Sequence, residues 1–90
     1  MQNEHQIIRA VEAAKTDAQK ADELIRSYLP FIRAEASKAI SRPCTEQDDE
    51  FSIAMIAFHE AILGYERRRG AFLPYAALLI RSRVIDHQRR

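Results

Sequence analysis

The sequence predicts an all-α fold, a compact bundle of about four helices, on three observations. Turn-forming residues are scarce, with two glycines and three prolines in 90 residues. Apolar side chains recur at helical spacing over most of the chain. Helix-start signals precede those runs, with Thr16 three residues before Gln19 and Thr45 three before Asp48.

Taken in order, the first helix spans about 4–15, with Ile7, Ile8, Val11 and Ala14 on one side. Thr16 and Gln19 read as the capping box of a second stretch, about 17–41. Its apolar set is Leu24, Ile25, Tyr28, Leu29, Ile32, Ala36 and Ile40. Pro30 lies inside it, lacks an N–H and crowds the preceding turn, so a kink or break is expected there. Residues 41–47 form the linker. The third helix is expected over about 46–64, with Asp48, Asp49 and Glu50 at the positive end of its dipole. Its middle, Ile53 to Phe58, is apolar all the way round. One buried stripe does not require that; it implies cover from the protein's own core and from something else. Gly64 and Gly70 then bracket a turn carrying Arg67, Arg68 and Arg69, and a fourth helix runs over about 72–88.

Ninety residues make one domain, 1–90, with an N-terminal helical segment over 1–20. The single cysteine, Cys44, has no internal disulfide partner, which fits a reducing cytoplasm. No apolar run reaches the ~18 residues of a membrane span, so a cytoplasmic protein without direct membrane insertion is expected. The net charge of +1 hides a split. Residues 1–66 carry seven Lys or Arg against twelve Asp or Glu, which is −5; residues 67–90 carry seven Arg against Asp86 alone, which is +6. Two electrostatic jobs follow from that division.

An enzyme finds little support. His5, His59 and His87 are scattered, and Cys44 has no partner at metal-ligand spacing. The run His59-Glu60-Ala61-Ile62-Leu63 begins like a zinc-protease motif but has Leu63 where the second His belongs. The acids Asp48, Asp49 and Glu50 are consecutive and fan around a helix instead of converging. No catalytic residue, metal site or cofactor is expected. Nucleic acid fits Tyr65 to Arg83 better. Arginines supply phosphate contacts, and interleaved rings offer faces on which unpaired bases stack. On the fourth helix Phe72, Tyr75, Leu79 and Arg83 are expected to share one side. The rival from another class is a helical protein-interaction module that binds a partner through the third helix and never touches DNA.

As a set, these residues resemble the second conserved region of bacterial RNA polymerase sigma factors. The pattern is an acidic helix start at Asp49, an Ala-x-x-x-aromatic from Ala61 to Tyr65, and the Arg68-Arg69-Gly70 turn. Phe72, Tyr75-Ala76 and Ile80-Arg81 complete it. The resemblance spans residues 21–90 and is strongest to the alternative sigma-I branch, through Asp48 to Ile62 and Ser82 to Arg90. It implies that the third helix docks on the clamp helices of the polymerase β′ subunit, with Asp49, Ser52, Ile53, Met55 and His59 at contact positions. It implies that the fourth helix and its preceding turn bind the −10 promoter element and hold the non-template strand open. Tyr75 then matches the adenine-stacking aromatic, Phe72 an aromatic beside it, and Arg68, Arg69 and Arg81 basic positions near the backbone. Ser82 and Ile85 match positions facing the upstream edge. The sigma-I likeness also implies a membrane-linked anti-sigma factor as partner. The chain would be the N-terminal part of a longer protein, since no second module for a −35 element follows.

The sequence departs from the housekeeping pattern in three places. A Trp-Trp melting wedge is replaced by Leu78-Leu79, a Gln and Thr that read the upstream base by Ser82 and Ile85, and the turn after Gly70 is one residue shorter. These departures remove the basis for a TATAAT-like preference.

Overall fold

Two polar side chains start the first helix. Asn3 accepts a hydrogen bond from the Gln6 backbone N–H (2.9 Å), and the Gln6 side chain accepts one from the Asn3 N–H (3.0 Å). This reciprocal box satisfies donors that a helix start leaves orphaned. It opens α1 (Glu4–Ala14), which buries Ile7, Val11 and Ala14. The computed structural model describes residues 3–89.

The expected second helix is two helices. Asp17, not Thr16, caps α2 (Ala18–Ser27), its carboxylate accepting from the N–H groups of Gln19 (3.0 Å) and Lys20 (3.2 Å). The chain leaves helical geometry at Tyr28 (φ −113°, ψ 17°), and α3 (Leu29–Ile40) begins there. Pro30 therefore lies in the first turn of a new helix, where its missing N–H would have had no intrahelical partner anyway. Ser41 ends α3 in the left-handed region (φ 59°), while the Arg42 N–H reaches back to the Ser37 carbonyl (3.3 Å).

The helix expected from residue 46 begins at 49. Asp48 accepts from the Thr45 N–H (2.8 Å) and from Arg42 (3.0 Å), so its carboxylate is turned back toward the linker instead of capping forward. The next helix, α4 (Asp49–Gly64), buries Phe51, Ala54, Ala57, Phe58, Ala61 and Ile62. A single 3-10 turn over Arg67–Arg69 leads to α5 (Phe72–Gln88), which buries Phe72, Ala76, Ala77, Ile80 and Val84. The facing alanines remove bulk, and α4 and α5 share the most extensive helix pairing, with α3 against both.

Rings thread this core. Phe58 lies 6.0 Å from Tyr28, 6.3 Å from Phe31 and 5.5 Å from Phe72; Phe72 meets Tyr65 edge-on at 5.3 Å; Tyr65 meets Tyr75 at 5.9 Å. Burying each large apolar ring contributes roughly 1.5–3 kcal/mol, so this chain is a main source of stability. It also runs from the α2–α3 junction to the head of α5, placing Tyr75 on a rigid support. Among the described residues, no strand forms and no helix is long and apolar enough to cross a membrane.

Candidate functional site

The segment from Tyr65 to Gly70 sets the geometry at the head of α5. Tyr65 is buried at 1% exposure, and its hydroxyl donates to the Gly70 carbonyl, bridging the two ends of the turn. Gly70 takes φ 88°, a value that side chains on Cβ disfavour. Gly64 serves a different need: a Cβ there would lie 3.1 Å from the Tyr75 hydroxyl, so its absence lets that ring settle against the end of α4. Between these points Arg68 and Arg69 are exposed. Arg68 pairs with Glu66 two residues back (2.9 Å), and the Arg69 guanidinium lies over the Tyr75 ring, 5.3 Å from its centroid.

Along α5 one face stays open. Tyr75 is half-buried at its head, Leu78 is 65% exposed, and Ser82, Ile85 and Arg89 follow, all exposed. The spacing 75, 78, 82, 85, 89 is one side of a helix. Four of the expected nucleic-acid residues, Tyr75, Leu78, Ser82 and Ile85, are thus brought together, beside Arg68 and Arg69. Arg89 belongs to the same face; its place seven residues after Ser82 was the signal for it.

Four residues need correction. Phe72 is 1% exposed and wedged between Phe58 and Tyr65, so in this conformation it supports the face from behind and offers no ring to a base. The expected stripe through Phe72, Tyr75, Leu79 and Arg83 is not a shared surface. The core instead claims Phe72, Ala76, Ile80 and Val84, Leu79 packs half-buried against it, and Arg83 turns to Glu60 of α4 (3.3 Å). Arg81 is also engaged. It is half-buried, and its guanidinium lies 3.5 Å from the carboxylate of Glu35, a buried acid on α3 that Lys38 also holds at 3.0 Å. An isolated buried carboxylate is costly, and the two cations make Glu35 tolerable.

The outer face of α4 has the opposite character. Asp49, Ser52 and His59 are exposed, whereas Ile53 and Met55 are half-buried and packed against the core. Ile56, at 62%, and Leu63, at 54%, join the exposed set. The series 49, 52, 56, 59, 63 alternates steps of three and four, and that spacing already marks Ile56 and Leu63 in the sequence. The apolar middle of the helix is therefore covered on one side only.

Charge pairs hold the entrances of both helices. At α4 the Arg42 guanidinium, then the Thr45 N–H, keep the Asp48 carboxyl below its ordinary pKa. Before α5 the Arg67 side chain does the same to Glu12 of α1 through bonds of 2.8 and 2.9 Å. Burial raises the Cys44 thiol, leaving it in the inert protonated form. Among the described residues, no group of His, Cys, Asp and Glu is placed to hold a metal.

Comparison with known proteins identifies the family. The family model for Sigma-70 region 2 matches residues 24–90. The RNA polymerase sigma factor SigI of Bacillus subtilis is 40% identical over 84 residues, covering 92% of this chain and 33% of that protein. SigI of Bacillus anthracis is 49% identical over 67 residues, 73% of this chain and 28% of the relative. SigI7 of Acetivibrio thermocellus is 38% identical over 85 residues, 93% and 36%. The chain spans about a third of the length of these curated relatives. With the family model matched over residues 24–90 and relatives 38–49% identical over most of its length, the chain belongs to the Sigma-70 region 2 family.

Proposed function

We propose that this chain is the part of a sigma factor that binds core RNA polymerase and recognises and helps open the promoter −10 element, acting as a binding subunit and not as an enzyme. The observation that carries this is the open face of α5, Tyr75, Leu78, Ser82 and Ile85, headed by the exposed Arg68 and Arg69. Arginines meet phosphates of the non-template strand, and Tyr75 takes an unpaired base against its ring. Arg69 occupies that ring in the free domain, but an exposed cation–π contact is worth about 0.5–1 kcal/mol. A stacked base contributes about 1–3 kcal/mol, so the base displaces it. Leu78 stands where a wedge would enter the duplex, while Leu79 packs behind it. Arg81 tethers α5 to α3 first and reaches a backbone only second.

On α4, Asp49, Ser52 and His59, with Ile53, Met55, Ile56 and Leu63, form the surface for the β′ clamp helices. An exposed apolar stripe with an acid at one end suits a partner of apolar and basic character. This reading rests on the family membership and on the exposure of that stripe.

The test titrates the 90-residue chain against single-stranded and duplex oligonucleotides carrying a −10 element, by fluorescence anisotropy at several salt concentrations. Three exposed arginines, Arg68, Arg69 and Arg89, predict single-strand binding with a log–log salt slope near about −2. A parallel gel filtration asks whether the chain co-elutes with a clamp-helix fragment. Co-elution without any single-strand binding makes it a helical protein-interaction module instead.

A further inference from the structure

We propose that α1 is a splint for the arginine turn, with Glu12 and Lys15 as positioning residues and Arg67 committed to the fold instead of to phosphate. This rests on the nucleic-acid reading above for its purpose, but not for its geometry. Residues 4–15 lie outside the 24–90 segment that the family model matches, yet α1 and its C-capping residue, Lys15, each touch the turn. The Lys15 ammonium donates to the Tyr65 carbonyl at the entrance of the turn. Glu12 accepts two parallel bonds from Arg67 in its middle, at 2.8 and 2.9 Å. Such fork-on-fork pairing fixes orientation as well as distance. The exit is closed by the Tyr65 hydroxyl on the Gly70 carbonyl.

The three consecutive arginines therefore have three different positions. Arg67 reaches a helix 55 residues away and ties the turn to it. Among the described residues Arg68 pairs with Glu66, a neighbour on the same turn, so that pair moves with the turn and does not tie it to another helix. Arg69 rests on Tyr75. Held at entrance, middle and exit, the six residues from 65 to 70 present Arg68 and Arg69 in a set direction. A strand then meets cations already placed, with less ordering left for binding to impose.

Glu12→Gln separates this from simple charge counting. It removes a negative charge, and bulk electrostatics alone would tighten binding to an anionic strand. A splint predicts the reverse: affinity for a single-stranded −10 oligonucleotide falls by about two- to fivefold, the range a half-exposed ion pair supplies, with the salt slope unchanged. The swap Glu12→Arg with Arg67→Glu leaves net charge as it was and recovers most of the affinity. Arg68→Gln, in contrast, flattens the slope by about 0.7. Unchanged or tighter binding by Glu12→Gln overturns the proposal, and a steeper slope there identifies Arg67 as a phosphate contact that Glu12 masks.

A second readout needs no DNA. Cleavage after Glu66 by a glutamate-specific protease, followed by mass spectrometry, reports opening of the turn. Glu12→Gln and Lys15→Met should each speed it by about two- to fivefold while the melting temperature falls by no more than a few degrees. Equal cleavage rates in wild type and variants overturn the splint whatever the oligonucleotides do. Faster cleavage in a chain that binds no strand leaves the splint standing and removes the nucleic-acid reading.

Discussion

Helices α4 and α5 pack on one another, and each keeps an apolar stripe on its outer side, yet their surroundings differ. The α4 stripe, Ile56 and Leu63, is flanked by Asp49, His59 and Glu60 with no Lys or Arg on the helix. The α5 stripe, Leu78 and Ile85, lies beside Arg68, Arg69 and Arg89. Two hydrophobic surfaces on one small domain would invite self-association if they were alike; opposite flanking charge suits them to different partners. The division is a property of the chain as a whole, −5 before residue 67 and +6 from it onward. Where α4 and α5 touch, Arg83 of the basic helix answers Glu60 of the acidic one.

The largest expected effect breaks the support that both faces share. Phe72 contacts Phe58 of α4 on one side and Tyr65 on the other. Phe72→Ala should cost about 3–5 kcal/mol of stability, the usual range for emptying a buried aromatic site. In a domain of this size that loss leaves little folded protein, and both proposed binding activities should vanish together. Circular dichroism melting checks it; a melting temperature within a few degrees of wild type would show that Phe72 is not the keystone its contacts imply.

Tyr75, three residues on, sharpens the contrast because it is half-buried at the rim of the same ring chain. Tyr75→Ala should weaken single-strand binding by about 1–3 kcal/mol, while Tyr75→Phe keeps most of it because any aromatic face can stack. Binding of a clamp-helix fragment should not change. If Tyr75→Ala unfolds the domain and Tyr75→Phe does not, the ring is core, and the α5 face loses its reading group.

Much of this was legible in the sequence, and the limits have physical causes. Periodicity located α1 and α5 to within a residue, and Pro30 marked the division that creates α3. The start of α4 was placed too early because Asp48 bonds backward to Thr45 and Arg42, a choice set by an arginine six residues upstream. On α5 the resemblance gave Phe72 and Tyr75 related roles, but a 90-residue chain has few rings, and its core claims the one that points inward. The outer stripe of α4 was available from its three-and-four spacing. The pairs Glu12–Arg67 and Glu35–Arg81 were not, since contacts across many residues leave no local pattern.

A smaller effect concerns how each helix is entered. Asp48 and Glu12 both have pKa values lowered by an arginine partner, Arg42 and Arg67 respectively. A carboxylate depressed on folding contributes stability that is fully present above its unfolded value, about 4, and is lost as pH falls through the folded value. Melting temperature should therefore be flat from pH 7 to about pH 5 and decline below about pH 4. Arg42→Gln should remove only the part belonging to the entrance of α4. A decline already complete at pH 5 would point to another group.

The smallest effect on the fold is the most discriminating for the two faces. Ile56 and Leu78 are each more than half exposed, at 62% and 65%, so neither side chain holds the core together. Ile56→Ser and Leu78→Ser should each alter stability by no more than about 0.5 kcal/mol, as surface substitutions do. Their binding effects should diverge. Ile56→Ser removes apolar area from the stripe beside Asp49 and should weaken clamp-helix binding with DNA affinity unchanged. Leu78→Ser removes it from the arginine side and should weaken capture of opened −10 DNA with clamp binding unchanged. Melting curves and the two titrations on the same protein samples separate these outcomes. If both variants lose the same activity, the two stripes form one interface, and the charge division along the chain serves a single partner.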